Sequence, residues 1–287
     1  MRKYAVASGL FTAGAGAVGF LLRQSELTRG FEPDTGLPVP GAASTAALVA
    51  YSIFVLAAAM AVSAVIKARF KIKPAYREAF APSDKYVIFT AMIAAVVFVS
   101  GAMLFVEARG AEYARSLAVL AVLTVASGVA IFCLAADSRG EKPSKASLVC
   151  VIIPELYFTA WLLLLYRSNQ TNPVRLEYVF QALAAASSAL ASYFTAAFVF
   201  GRPSPIRAVF SHIAAVYFLA TAAADGSAPS QKIAFIAFAA YFAVNLARLI
   251  DGLEKSSPRH LKGSQQVTVT EEEEEVISEA EVHEAAD

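Results

Sequence analysis

Charge is what this chain has least of. Only 16% of its 287 residues are Asp, Glu, Lys or Arg, against about a quarter in an ordinary soluble domain. Net charge is +1, so there is no overall basic surface, and nucleic acid is not an expected partner. Histidine is scarce too, with three in all. His260 and His283 fall after the last apolar stretch, which leaves too few for a multi-His metal site. The two cysteines, Cys133 and Cys150, both sit in apolar stretches and read as small packing residues, not as a disulfide or metal pair. No Gly-rich phosphate loop followed by Lys-Ser/Thr, no His-Glu-x-x-His and no Gly-x-Ser-x-Gly is present. The expectation is a chain without a cofactor or bound metal that is not an enzyme.

Apolar residues fill the space that charge leaves. They make up 57% of the chain, and mean hydropathy is +0.57. They come in blocks near the length of about 20 residues that crosses a hydrocarbon core. A soluble core would instead show amphipathic stripes. The fold class expected is all-α, a polytopic helical membrane protein of about eight transmembrane helices. The spans run from about Tyr4 to Leu22, Ala42 to Ile66, Tyr86 to Val106, Tyr113 to Ala136, Ala146 to Tyr166, Leu176 to Phe200, Ile206 to Ala224 and Lys232 to Ile250. Residues 1–252 form the bundle, and 253–287 form an acidic tail.

The first span is rich in small residues. Ser8, Thr12 and Gly16 recur at every fourth place, as do Gly9, Ala13 and Ala17, and such rows let helix backbones approach closely in lipid. A charged start and an apolar run also fit a cleaved signal, but the run is long and no clean small-x-small cleavage site precedes Arg23.

Orientation follows from counting basic residues, because cytoplasmic loops collect Lys and Arg. With eight spans, the N-terminus, the even loops and the C-terminal side hold 17 of the 24 Lys and Arg, and the odd loops hold 7. Both termini are therefore expected in the cytoplasm, in a bacterial cytoplasmic membrane. The second loop dominates the bias. Its Lys67, Arg69, Lys71 and Lys73 are candidates for contact with anionic lipid headgroups, although the positive-inside bias alone accounts for them as well.

The chemistry expected at depth centres on Ser147 to Gln181, where Pro154 and Glu155 interrupt an apolar span. A carboxylate within a span is costly, and it usually faces the bundle interior or a wet cavity. Pro154 removes a backbone donor and predicts a kink with a freed carbonyl at Cys150. Glu155 is the candidate for a proton or cation relay, or for an anchor of a cationic solute group. His212, in span seven, is a candidate proton partner for it, with a helix-packing hydrogen bond as the alternative. Asn245 in span eight reads the same way. Gln181, Ser187, Ser188 and Ser192 give span six a polar edge that reads as a packing seam. Glu107, Arg109, Glu112 and Arg115 crowd the third loop and read as a solvated, mutually neutralising cluster, while Asn169-Gln170-Thr171 matches a glycosylation sequon on the expected outer side.

The tail differs in kind. Residues 271–275 are five consecutive Glu, followed by VISEAEVHEAAD, a composition that is disordered in isolation. Residues 271–287 are a candidate docking segment for a basic cytoplasmic protein partner; a solubilising tail is the plainer alternative. Two functions fit: a small-solute or ion carrier with a Pro-Glu site, or a non-catalytic membrane subunit that binds partners through helix faces and the tail.

Overall fold

The computed structural model describes residues 3–32, 34–69, 74–80, 83–111, 113–137, 144–170, 176–225 and 228–256, apart from the side chains of Lys3, Tyr4 and Glu177. Helices account for almost all of it. Eight are long and apolar enough to cross a membrane, so the chain is an all-α, multi-pass membrane protein. In chain order the α-helices are α1 (Lys3–Arg29), α2 (Ala43–Arg69), the short α3 (Tyr76–Ala79), α4 (Asp84–Glu107), α5 (Ala114–Asp137), α6 (Lys145–Cys150), α7 (Ile153–Asn169), α8 (Val179–Val199), α9 (Pro205–Ala222) and α10 (Pro229–Lys255). Helices α6 and α7 together form the fifth crossing.

The last two spans are the centre of the bundle. Helix α9 packs against α1, α2, α8 and α10, and α10 also packs against α1 and α4. Both are buried around most of their girth, whereas α1, α2 and α7 bury a narrow stripe. The outward faces carry large apolar side chains: Leu10, Ile53, Met92, Val149 and Leu163 are each more than 60% exposed. That surface suits hydrocarbon as solvent, where every backbone polar group is already satisfied within its own helix. The core between the last spans is aromatic, with Trp161 stacked on Phe235 at 4.6 Å and Tyr157 on Phe238 at 5.0 Å.

Small residues set how closely the helices approach. A Cβ added to Gly101 of α4 would lie 2.7 Å from the backbone nitrogen of Val125, and one on Gly128 of α5 would lie 2.7 Å from that of Phe98. In α1, Thr12 and Gly16 are buried, and a Cβ on Gly16 would stand 2.8 Å from Ala220 of α9. The second small row faces away from the core: Ala13 and Ala17 are exposed, and nothing stands within 4 Å of a Cβ at Gly9.

Two helix ends differ from the sequence expectation. Helix α1 continues beyond Leu22 to Arg29, because no breaker intervenes before Gly30 and its inward stripe continues through Arg23 and Glu26. Helix α10 runs to Lys255, and its Asp251, Gly252 and Leu253 are buried, not part of a polar tail. Its last turn packs against α3, where Gly252 sits directly on the carbonyls of Glu78 and Ala79. The acidic tail from 257 onwards, with residues 271–287, lies outside the described residues.

Candidate functional site

The Pro-Glu pair builds a helix start. Helix α6 ends at Cys150, Val151 and Ile152 form a turn, and α7 begins at Ile153 with Pro154 in its first turn. The first turn of a helix has no intrahelical use for its N–H groups, so Pro is tolerated there. The expected kink within a continuous helix is thus a stop and restart. Glu155 lies in the same first turn, where the helix dipole favours negative charge. This gives the carboxylate a local reason to sit within a span.

Glu155 is half-buried and lines a cleft of about 1280 Å³. The opposite wall is the end of α8 with Tyr193, Phe194 and Phe200, the turn through Gly201, and the start of α9. Gly201 adopts φ +71°, a conformation that opens this turn at little cost only for glycine. Ile66 and Lys67 of α2 complete the lining. One carboxylate therefore shares the cleft with three cations: Lys67, Arg202 and Arg207. All three are exposed, and the Arg207 guanidinium lies 5.9 Å from the Phe194 ring centre. We call this the basic end. Arg69 is also exposed there, while Lys71 and Lys73 lie outside the described residues.

His212 is brought elsewhere. It is fully buried; its Nδ1 donates to the Ala208 carbonyl at 2.7 Å, and its Nε2 lies 3.3 Å from Thr195 Oγ1. The Phe242 ring meets it edge-on at 5.6 Å. Its ring nitrogens meet Ala208 of α9 and Thr195 of α8, and His212 is not among the residues that line the Glu155 cleft. Asn245 is also buried, one turn along α10 from the buried Tyr241, and it is not among the residues that line the cleft. Ser187, Ser188 and Ser192 are buried along α8, as a packing seam requires.

A second constellation at the basic end joins α10 to the segment before α4. Arg248 is buried and its Nη2 donates to the Phe80 carbonyl at 2.9 Å, with the guanidinium 5.9 Å from the Phe80 ring centre. Burial pushes the Tyr76 hydroxyl beside it above its ordinary pKa. Arg77 reaches Asp137 at 4.0 Å, and Asp137 accepts hydrogen bonds from the Ser144 backbone and the Ser147 hydroxyl. These contacts hold the short helices α3 and α6 against the bundle.

The opposite end holds charges that sequence reasoning assigned to loops. Arg23 Nε donates to Asp225 Oδ1 at 2.7 Å, and its Nη1 donates to Glu26 Oε2 at 2.6 Å. All three side chains are at most 4% exposed. The Phe180 ring centre lies 4.9 Å from the guanidinium carbon, with Phe31 at 5.9 Å. Gln181 of α8 lies beside Asp225. Burial raises the Asp225 carboxyl above its ordinary value, and Arg23 and Gln181 pull against that rise. The available signal was the three-residue spacing of Arg23 and Glu26 on an unbroken helical run. The partner at 225 could not be read from the sequence.

The chain matches no protein-family model, no curated protein and no solved structure.

Proposed function

We propose that this chain is a carrier for a small solute in a bacterial cytoplasmic membrane, with both termini and the basic end facing the cytoplasm. The excess of Lys and Arg on that side supports the orientation. One observation carries the functional reading: Glu155 faces an open cleft at one end of the bundle, lined also by Lys67, Arg202 and Arg207. A cleft that opens to one side and holds an ionisable group within a span is a fitting binding site for a carrier that works by alternating access. Glu155 anchors a cationic group of the solute. Arg202 and Arg207 at the cleft take an anionic group, which makes a small zwitterion the fitting solute. The exposed Lys67 and Arg69 lie where lipid headgroups would meet α2.

Proteoliposome uptake of a panel of labelled zwitterionic amino acids tests this reading. The expected result is uptake of at least one member that is abolished by Glu155→Gln, with elution profile and thermal midpoint unchanged. Uptake that survives Glu155→Gln overturns it.

A second reading has its own support. The row Gly9, Ala13, Ala17 on α1 faces away from the bundle and has the form of a helix-packing surface. In this reading the chain is a membrane subunit, and the acidic stretch 271–287 docks a basic cytoplasmic protein. Purification in mild detergent, beside a truncation lacking residues 255–287, separates the two. A stoichiometric partner lost with the tail supports the subunit. A protein that purifies alone in both forms supports the carrier.

A further inference from the structure

The cleft beside Glu155 holds more positive charge than a carboxylate solute would use. Lys67 of α2, Arg202 of the Gly201 turn and Arg207 of α9 share its lining with one carboxylate, Glu155 of α7, which leaves a net charge of +2. Among the described residues none of these four groups takes part in an ion pair within the chain. A zwitterionic amino acid is neutral and would leave the excess in place. A phosphate monoester carries about −1.5 to −2 at neutral pH, and a phosphorylated amine combines it with one ammonium. Arginine suits that group, because its planar fork meets two phosphate oxygens at once. The wall that carries the arginines is built for an anion as well. Pro203 and Pro205 stiffen the segment between Arg202 and Arg207. Helix α9 starts there, and the Ser204 side chain makes no capping hydrogen bond to it. A helix start whose N–H groups are not taken by a cap favours phosphate.

We infer that the cleft binds a phosphorylated primary amine, with the ammonium at Glu155 and the phosphate at Arg202 and Arg207, an inference that rests on the cleft being a zwitterion site. Lys67 adds charge at the rim without having to touch the ligand. Two molecules carry this group: a free aminoalkyl phosphate in solution, and the headgroup of an aminophospholipid in the surrounding leaflet. The recognising chemistry is the same for both. Ile152, Tyr193 and Phe200 also line the cleft and are exposed, and such apolar surface accepts the carbon chain of either.

Isothermal titration calorimetry of the full chain in detergent tests this, with 2-aminoethyl phosphate and with 4-aminobutyrate, the carboxylate of matching length. The phosphate ligand should bind about tenfold tighter than the carboxylate. Arg202→Gln and Arg207→Gln should each weaken the phosphate ligand about tenfold and the carboxylate less. Both arginines are exposed, so these variants keep the fold, and the wild-type comparison decides without them. Phosphatidylethanolamine added to the micelles should displace 2-aminoethyl phosphate if the lipid headgroup is the source, and leave it bound if the free solute is. Either outcome supports the site. A phosphate ligand that binds no tighter than 4-aminobutyrate, or that is unmoved by both arginine variants, overturns the inference. Binding of 4-aminobutyrate that is lost in Glu155→Gln would in that case leave the zwitterion reading standing, whereas binding that survives Glu155→Gln removes that reading itself.

Discussion

Arg23 Nε and Asp225 Oδ1 meet at 2.7 Å across 202 residues of chain. This bond joins the first helix to the turn between the last two, and it is buried on all sides. Removing one partner of a buried pair leaves the other charge uncompensated, at a cost of about 3–5 kcal/mol. Arg23→Gln is therefore expected to lower the thermal midpoint sharply. Arg23→Gln with Asp225→Asn should lose less than the two single losses added together. Emission of Trp161, the one tryptophan of the chain, fully buried against Phe235, follows the unfolding. Additive losses would mean that the two groups do not interact.

The same carboxyl predicts a pH dependence with a definite sign. Burial raises Asp225 in the folded protein, so the folded state binds the proton more tightly than the unfolded state. Its contribution to stability is full below the ordinary carboxylate value and declines as pH rises through the raised one. Stability measured over that window should fall with rising pH, and Asp225→Asn should flatten the slope. A wild-type profile that rises over the same window would contradict the placement of Asp225.

Gly252 makes a sharper steric case. A Cβ there would collide with the carbonyls of Glu78 and Ala79, and backbone cannot step aside as a flexible side chain can. Gly252→Ala should cost about 1–3 kcal/mol and release α3 from α10. Limited proteolysis would then cut between Lys67 and Lys85 faster than in the wild type. Gly9→Ala is the control, since nothing lies within 4 Å of its Cβ, and it should stay within about 0.5 kcal/mol of wild type. Equal behaviour of the two variants would count against the α3–α10 contact.

Ser52 Oγ and Tyr217 OH lie 2.7 Å apart between α2 and α9. Hydrogen bonds between membrane helices measured by double-mutant cycles average about 0.6 kcal/mol. The cycle of Ser52→Ala and Tyr217→Phe should give a coupling of that size, read from unfolding midpoints in detergent. Zero coupling would show that the bond does not hold the two helices together.

His212 supplies a test of separation from the cleft. Its nitrogens serve Ala208 and Thr195, so His212→Leu should cost about 1–3 kcal/mol of stability through the lost hydrogen bonds. Uptake dependent on Glu155 should keep its pH profile in this variant. A shifted profile would mean that His212 and Glu155 are coupled after all.

Some of the candidate site was legible from residue order. Pro154 and Glu155 announce an interruption, and the interruption is there, because Pro is rarely tolerated in a helix interior and a carboxylate is rare at membrane depth. What they interrupt is less legible. A missing N–H predicts equally a kink and a new helix start, and only backbone geometry separates the two. Hydropathy falls where charge begins, which ends the apolar span before Arg23, yet the helix runs on for six residues beyond it. The pairing of His212 with Glu155 was a matter of proximity, on which residue order has no bearing.

The sequence by itself determined the class, the number of crossings and nearly all of their positions. Each of these depends on a local quantity, the length of an apolar block against the thickness of a bilayer. Tertiary structure decided which stripe of each helix faces inward and which polar groups meet. In lipid the inner and outer faces of a helix are both apolar, so hydropathy does not distinguish them. Close packing at Gly16, Gly101, Gly128 and Gly252 made that choice. It brought Arg23 to Asp225 and kept His212 out of the cleft that Glu155 lines.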